Sequence, residues 1–262
     1  MRLIVTKDYA AMSRCAARMV AEALASHPAA NIAMPTGETP IGFYRELAAL
    51  HRLGAFDASH LRVFQLDEYL GVAPDDPRAF AGWIARVFLD PLGISPAQVV
   101  RLQGEASDLY AACQQYDAAV AAAGGFDIVV LGLGANGHIA FNEPPADRDS
   151  PTRVVRLSDE TRASNARYWG EQMHVPTHAV TCGMANILAA RVKLLLVAGE
   201  GKRDILRRVV DVPAIADVPA SLLAASDGVT IIAAEAAWPR SVPTIAARSS
   251  SSLSSRLECG DH

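Results

Sequence analysis

Residues 126–144 constrain this chain more than any other stretch. Phe126 to Leu131 is an apolar, β-branched run of strand length. It breaks at once into glycines at 132, 134 and 137, which let a backbone take positive φ and pass close to a ligand. Asn136, His138 and Glu143 follow, three side chains that can orient or exchange protons. A buried strand ending in a Gly-rich turn with ionisable residues is where an open α/β sheet places its chemistry. Gly-x-Gly-x-x-Gly alone is a weak signal, and one alternative is a dinucleotide site. Such a site needs a helix opening at the turn and an acid about 20 residues on. Here the turn runs into Phe141-Asn142-Glu143-Pro144-Pro145, whose two prolines oppose a long helix. A histidine between a glycine turn and an Asn–Glu pair reads as catalytic rather than as a core histidine.

Similar junctions recur along the chain. Strands are predicted at 3–6, 31–34, 61–66, 126–131, 153–157, 192–198 and 229–233, and helices at 8–26, 41–53, 76–91, 110–123 and 159–168. Residues 179–190 read as mixed, turning helical towards their end. The alternation predicts an α/β fold: one three-layer αβα domain with a mostly parallel, Rossmann-like central sheet. After the second strand comes Pro35-Thr36-Gly37-Glu38-Thr39-Pro40, with Thr39 expected as N-cap and Pro40 as first helical residue. Such a loop can cradle an anion with backbone N–H groups and hydroxyls; an ordinary capped βα loop is the alternative. The third strand delivers Asp67-Glu68-Tyr69. Neighbouring acids point in opposite directions if the strand continues, so one of them is expected to face the cleft; a solvated acidic turn is the other reading. Gly199-Glu200-Gly201-Lys202 follows the strand at 192–198, where Lys202 is either a ligand or a surface residue. Asp67, Asn136, the Thr36 loop and Lys202 all fall just after predicted strands, so they can converge on one crevice.

Composition excludes several classes. The net charge of −4 is spread along the chain and leaves no nucleic-acid or acidic-membrane footprint. No apolar run approaches the ~20 residues of a membrane span, and the first residues lack the apolar region of a signal peptide. Cys15, Cys113, Cys182 and Cys259 are far apart, with no Cys-x-x-Cys pair; reduced thiols in a cytoplasmic protein, without a zinc site, are expected. The domain is expected to span 1–240, with the serine-rich 241–262 a disordered tail.

The segment around His138 resembles the signature of the glucosamine-6-phosphate deaminase (isomerase) family. The related 6-phosphogluconolactonases share the frame up to the histidine but then read Thr-Ala-Ser-Leu-Phe-Pro. This chain reads Ile139-Ala140-Phe141-Asn142-Glu143-Pro144, the deaminase version. The resemblance covers about residues 1–240. It implies conversion of glucosamine 6-phosphate to fructose 6-phosphate and ammonia, without metal or organic cofactor. It further implies Asp67 as the base at C2, and His138 as the ring-opening proton shuttle, oriented by Asn136 and Glu143. Thr36, Gly37, Glu38 and Thr39, with Arg167 and Lys202, would hold the phosphate. Glu38 departs from the small residue often found there. A carboxylate repels a phosphate, so its side chain is expected to point away and its N–H alone to contribute. Arg162 and Arg167 lie on different sides of one helix, so one enters the site. Galactosamine 6-phosphate deamination, lactone hydrolysis and a non-catalytic sugar-phosphate sensor are the competing readings. The hexameric deaminases bind an allosteric sugar phosphate through a Ser, an Arg, a Lys and a Thr. The matching positions here are Ala146, Arg153, Val155 and Arg156. Only Arg153 agrees, so that regulation is expected to be absent. Oligomeric state, a homo-oligomer included, is left open.

Overall fold

A computed structural model describes residues 1–211 and 213–238; the tail expected at 241–262 lies outside them. The chain runs β1 (Arg2–Thr6), α1 (Tyr9–Ser26), β2 (Asn31–Met34), α2 (Thr39–Arg52), β3 (Arg62–Gln65), β4 (Asp67–Tyr69), α3 (Phe80–Ile84), α4 (Asp90–Leu92) and β5 (Val99–Val100). It continues through α5 (Leu109–Ala122), β6 (Ile128–Gly132), β7 (Arg153–Arg156), α6 (Asp159–Trp169), β8 (His178–Thr181), α7 (Met184–Ala189), β9 (Val192–Val197), α8 (Arg203–Asp211) and β10 (Val229–Ala234).

Seven strands form one parallel sheet in the order β1-β10-β9-β6-β2-β3-β5. Both faces are covered, which is why the central strands read as unbroken apolar runs rather than alternating ones. Ile128 and Val130 of β6 pack towards α1 and α2, among Met12, Leu24, Phe43 and Leu47. Val129 and Leu131 of the same strand point to the opposite layer, among Tyr116 of α5, Ile187 of α7 and Leu206 of α8. β9 repeats the split, with Leu194 and Leu196 on one side and Leu195 and Val197 on the other.

The strand order contains a reversal. From β2 the chain builds outward to β3 and β5, then returns to β6 on the other flank of β2 and builds outward to β9 and β10. Connections therefore diverge from the neighbouring β2 and β6, opening a crevice at their carboxyl ends, where open α/β sheets bind ligands.

A second, antiparallel sheet in the order β4-β8-β7 was not foreseen. The chain leaves the large sheet at Gln65 and enters the small one at Asp67. Tyr116 Oη donates to the Gln65 carbonyl at 2.7 Å, and Gln65 Nε2 donates to the Asp67 carbonyl at 2.9 Å. Residues 179–190 resolve into the last part of β8 followed by α7. The helix expected from 76 begins only at Phe80 and passes through a π-helical turn at Ala85–Leu89. Pro77 disfavours helical backbone at Asp76, and Asp76 instead closes a turn with Arg78. Helix α2 starts one residue earlier than expected, with Glu38, not Thr39, at the cap. Cys113 and Cys182 are free and buried, as expected. Cys15 is not a free thiol, which departs from expectation, and Cys259 lies outside the described residues. No described helix is long and apolar enough to cross a membrane.

Leu195 is fully buried at the centre of the sheet. Leu195→Ala is expected to lower unfolding free energy by about 2–5 kcal/mol, read from the urea midpoint; a loss below ~1 kcal/mol would contradict this packing.

Candidate active site

The crevice is a cleft of about 540 Å³. Its floor is the loop after β2 and the Gly-rich turn after β6. Its sides carry Asp67, residues of α6, and Lys202 after β9.

The turn after β6 exists to place His138. Gly134 N–H donates to the His138 carbonyl at 2.9 Å, and Gly137 takes φ +92°. A Cβ on Gly134 would lie 2.4 Å from three atoms of the His138 ring, so only glycine lets the imidazole lie against this backbone. Behind the ring, Nδ1 is 2.8 Å from Asn136 Oδ1, while Asn136 Nδ2 donates to Glu143 Oε2 at 2.6 Å. A carboxylate only accepts, so the Asn136 amide must turn its nitrogen to Glu143 and its oxygen to His138. That oxygen requires the proton on Nδ1, leaving Nε2 as the free ring nitrogen. Glu143 Oε2 is itself 3.7 Å from His138 Nδ1. Burial opposes the charge on Glu143, but its bonds to His138, Thr161 and Asn136 prevail and hold its pKa at about 2.

Two members of this chain were missed in the sequence. Ser158 donates its N–H to Glu143 Oε1 at 3.2 Å and accepts from Asn136 Nδ2 at 3.3 Å. It also caps α6 by accepting the Thr161 N–H, and Thr161 Oγ1 lies 3.3 Å from His138 Nδ1. The cap signal, Ser158 just before Asp159-Glu160, was readable; its link to His138 was not.

Across the cleft, β4 splits its two acids as the pleat requires. Glu68 turns inward, accepting the N–H groups of Tyr69, Phe80 and Ala81 within 3.0 Å. Asp67 faces the cleft, where Thr36 Oγ1 donates to its Oδ1 at 3.4 Å. Burial first and the Glu68 charge second raise the Asp67 pKa to about 7, against the Thr36 hydrogen bond. Thr36 therefore serves a carboxylate as well as lining the cleft. Tyr44 Oη donates to the Pro35 carbonyl at 2.5 Å and anchors that loop from below.

Arg167 and Lys202 line the same cleft. Arg162 faces the other way, donating to the Val175 and Gln172 carbonyls. The Lys202 ammonium is pushed down by burial, opposed by Glu160 and reinforced by Arg167. One expectation is corrected: the Glu38 side chain does not point away, because its Oε2 lies 2.9 Å from Arg167 Nη1. Attraction to the guanidinium, which comes from a residue distant in the chain, sets the direction of this carboxylate. Arg78 and Arg86 also line the cleft. Nothing in their sequence surroundings marked them; Arg78 is gripped by both oxygens of Asp76 and lies 4.4 Å over the Trp169 ring. Among the described residues no cluster of three or more His, Cys, Asp or Glu could hold a metal ion.

A parallel αβα sheet with a cleft at its switch point is the architecture of many α/β enzymes. Residues 7–232 match the model of the glucosamine-6-phosphate isomerases/6-phosphogluconolactonase family, and the chain belongs to that family. It is 43% identical over 237 residues to the glucosamine-6-phosphate deaminase of Cutibacterium acnes, covering 90% of this chain and 91% of that one. A solved monomeric glucosamine-6-phosphate deaminase superposes with a TM-score of 0.88 at 35% identity, covering 90% of this chain and 98% of that chain. The 6-phosphogluconolactonase of Thermotoga maritima superposes at 0.70 with 20% identity, covering 89% and 98%, a likeness of fold alone.

The raised Asp67 pKa links stability to pH. Folded Asp67 keeps its proton to about pH 7, whereas an unfolded Asp loses it near ~4. The folded state binds more protons in that window, so this group lowers stability as pH rises from ~4 to ~7. Asp67→Asn removes the effect. The variant is expected to melt with wild type at pH 4 and roughly 3–10 °C above it at pH 8. A variant that is less stable at pH 8 would contradict the buried, strained carboxylate.

Proposed function

We propose that this protein is an amino-sugar 6-phosphate deaminase. It converts glucosamine 6-phosphate and water to fructose 6-phosphate and ammonia. The observation that carries this reading is that Asp67 and the oriented His138 face one cleft with Arg167 and Lys202. The activity in the relatives' names supports it, as does the Phe141-Asn142-Glu143 sequence after the histidine.

The phosphate is bound by Arg167, Lys202 and the N–H groups of Gly37, Glu38 and Thr39. The planar guanidinium pairs two phosphate oxygens at once, and the N-terminus of α2 adds its dipole. His138 Nε2 takes the proton of the anomeric hydroxyl and returns it to the ring oxygen, which opens the sugar. The imidazolium that forms in between is stabilised by Glu143, directly and through Asn136. Asp67, as carboxylate, takes the proton from C2 and delivers it to C1. The C1 oxygen gains the proton that the amine gives up, so the double bond moves from C1=O to C2=N and the amine becomes an imine at C2. Water adds to that imine and ammonia leaves, giving the ketose. A base with a pKa near 7 is well matched to this transfer at neutral pH.

Purified protein given glucosamine 6-phosphate is expected to release ammonia and form fructose 6-phosphate. Asp67→Asn should reduce kcat by about 10²–10⁴-fold. The acid limb of kcat/KM should have its midpoint near pH 7, because protonated Asp67 cannot act as base. Silence on this substrate with turnover of galactosamine 6-phosphate would change the assigned sugar. Silence on both with hydrolysis of 6-phosphogluconolactone would overturn the reading.

Regulation by a second sugar phosphate is proposed to be absent. Arg153, the matching position, already donates to Asn142 Oδ1 at 2.9 Å. Kinetics are expected to be hyperbolic and unmoved by N-acetylglucosamine 6-phosphate; a sigmoidal curve relieved by that compound would contradict this.

A further inference from the structure

The anion loop carries its own anion. Glu38 stands at the N-terminus of α2, and its Oε2 lies 2.9 Å from Arg167 Nη1, the guanidinium that the functional reading assigns to phosphate. The two residues come from different elements, the cap of α2 and the last turn of α6, and both line the cleft. Arg167 also lies 4.9 Å over the Tyr168 ring, and its charge depresses the Lys202 ammonium. Two cations and a helix N-terminus thus share one wall; Glu160 acts on Lys202, and Glu38 is the carboxylate paired with Arg167. The loop is pinned as well. Tyr9 Oη accepts the Gly42 N–H at 2.8 Å and donates to the Glu38 and Thr39 carbonyls at 3.2 and 3.1 Å. The Glu38 backbone therefore cannot withdraw; only its side chain can turn aside.

We propose that Glu38 is an affinity-setting residue of the phosphate site, an internal competitor that a substrate phosphate must displace from Arg167. This rests on the reading of Arg167 as the phosphate ligand. Two physical effects act in the same direction. The incoming phosphate replaces an existing ion pair rather than meeting a free guanidinium. After displacement, the carboxylate is still tethered to the residue whose N–H faces the phosphate, so it repels the dianion at a distance of a few ångströms. Both residues are about half exposed, with side chains at 55% and 57%, so water and salt screen these effects to a moderate size. Holding Arg167 in place works the other way by sparing rotamer entropy, and dominance of that effect would read as weaker binding in Glu38→Gln.

The test is direct binding of inorganic phosphate and of glucosamine 6-phosphate by calorimetry, at fixed ionic strength and pH 8. Wild type, Glu38→Gln, Arg167→Gln and the double variant are compared. Glu38→Gln is expected to tighten both ligands by about three- to tenfold and to lower KM for glucosamine 6-phosphate by the same factor. Arg167→Gln is expected to weaken both, and Glu38→Gln should gain less in that background, because the competed cation is gone. Unchanged or weaker binding in Glu38→Gln, with Arg167→Gln still weakening it, would overturn this proposal and leave the phosphate site standing. Undiminished binding in Arg167→Gln would overturn both. Phosphate binding that follows the expected pattern without turnover of the amino sugar would support the role of Glu38 and count against the proposed reaction alone.

Discussion

Burial of both faces of a parallel sheet is the constraint on which everything else depends. Seven strands that run one way must be joined by crossovers, and the helices in those crossovers cover both faces. Where successive crossovers diverge, between β2 and β6, the carboxyl ends of the strands open onto the cleft. The Thr36 loop and the Gly134 turn are the two exits of that gap. The small β4-β8-β7 sheet then walls one side and carries Asp67 to it.

Around this gap the electrostatics divide into two halves with opposite demands. Glu143 sits behind His138, satisfied by hydrogen bonds and anionic across the whole physiological range. Asp67 sits before it, buried beside Glu68 and with one weak donor, and so remains near its protonation point. Two carboxylates in one site thus have pKa values driven apart by their surroundings, which is the pattern that assigns different roles to chemically identical groups. Glu68 contributes to both structure and tuning: it ties β4 to the start of α3 and raises its neighbour. The aromatic wall of Tyr69, Phe80, Phe141 and Trp169, with ring centroids 4.6 to 5.5 Å from Tyr69, packs this same corner.

Much of this was legible in the sequence where a local rule decides the outcome. The unbroken apolar run before Gly132, the capped helix after Asp8 and the opposed directions of Asp67 and Glu68 follow from periodicity and pleat. That Arg162 and Arg167 take different sides of α6 follows from helical geometry; which of them enters the cleft comes only from the family resemblance. What was not legible depended on pairs distant in the chain. The antiparallel sheet joins residues 67–69 to 179–181, and strands this short carry little periodic signal. The Glu38–Arg167 contact joins the N-cap of α2 to the last turn of α6, and the pull of that distant guanidinium on Glu38 leaves no local signal. Ser158 is of a type that caps helices, but its meeting with Glu143 is made by the fold.

The most direct test of the central claim, that Asp67 moves a proton from C2 to C1, follows the hydrogen itself. Glucosamine 6-phosphate deuterated at C2 would be turned over in ordinary water and the product read by NMR. The account predicts a ketose with no deuterium at C2, the label passing in part to C1 and in part to solvent. Ammonia released while the deuteron stays on C2 of an aldose product would mean that the amine is displaced without proton abstraction, and that Asp67 has been given the wrong task.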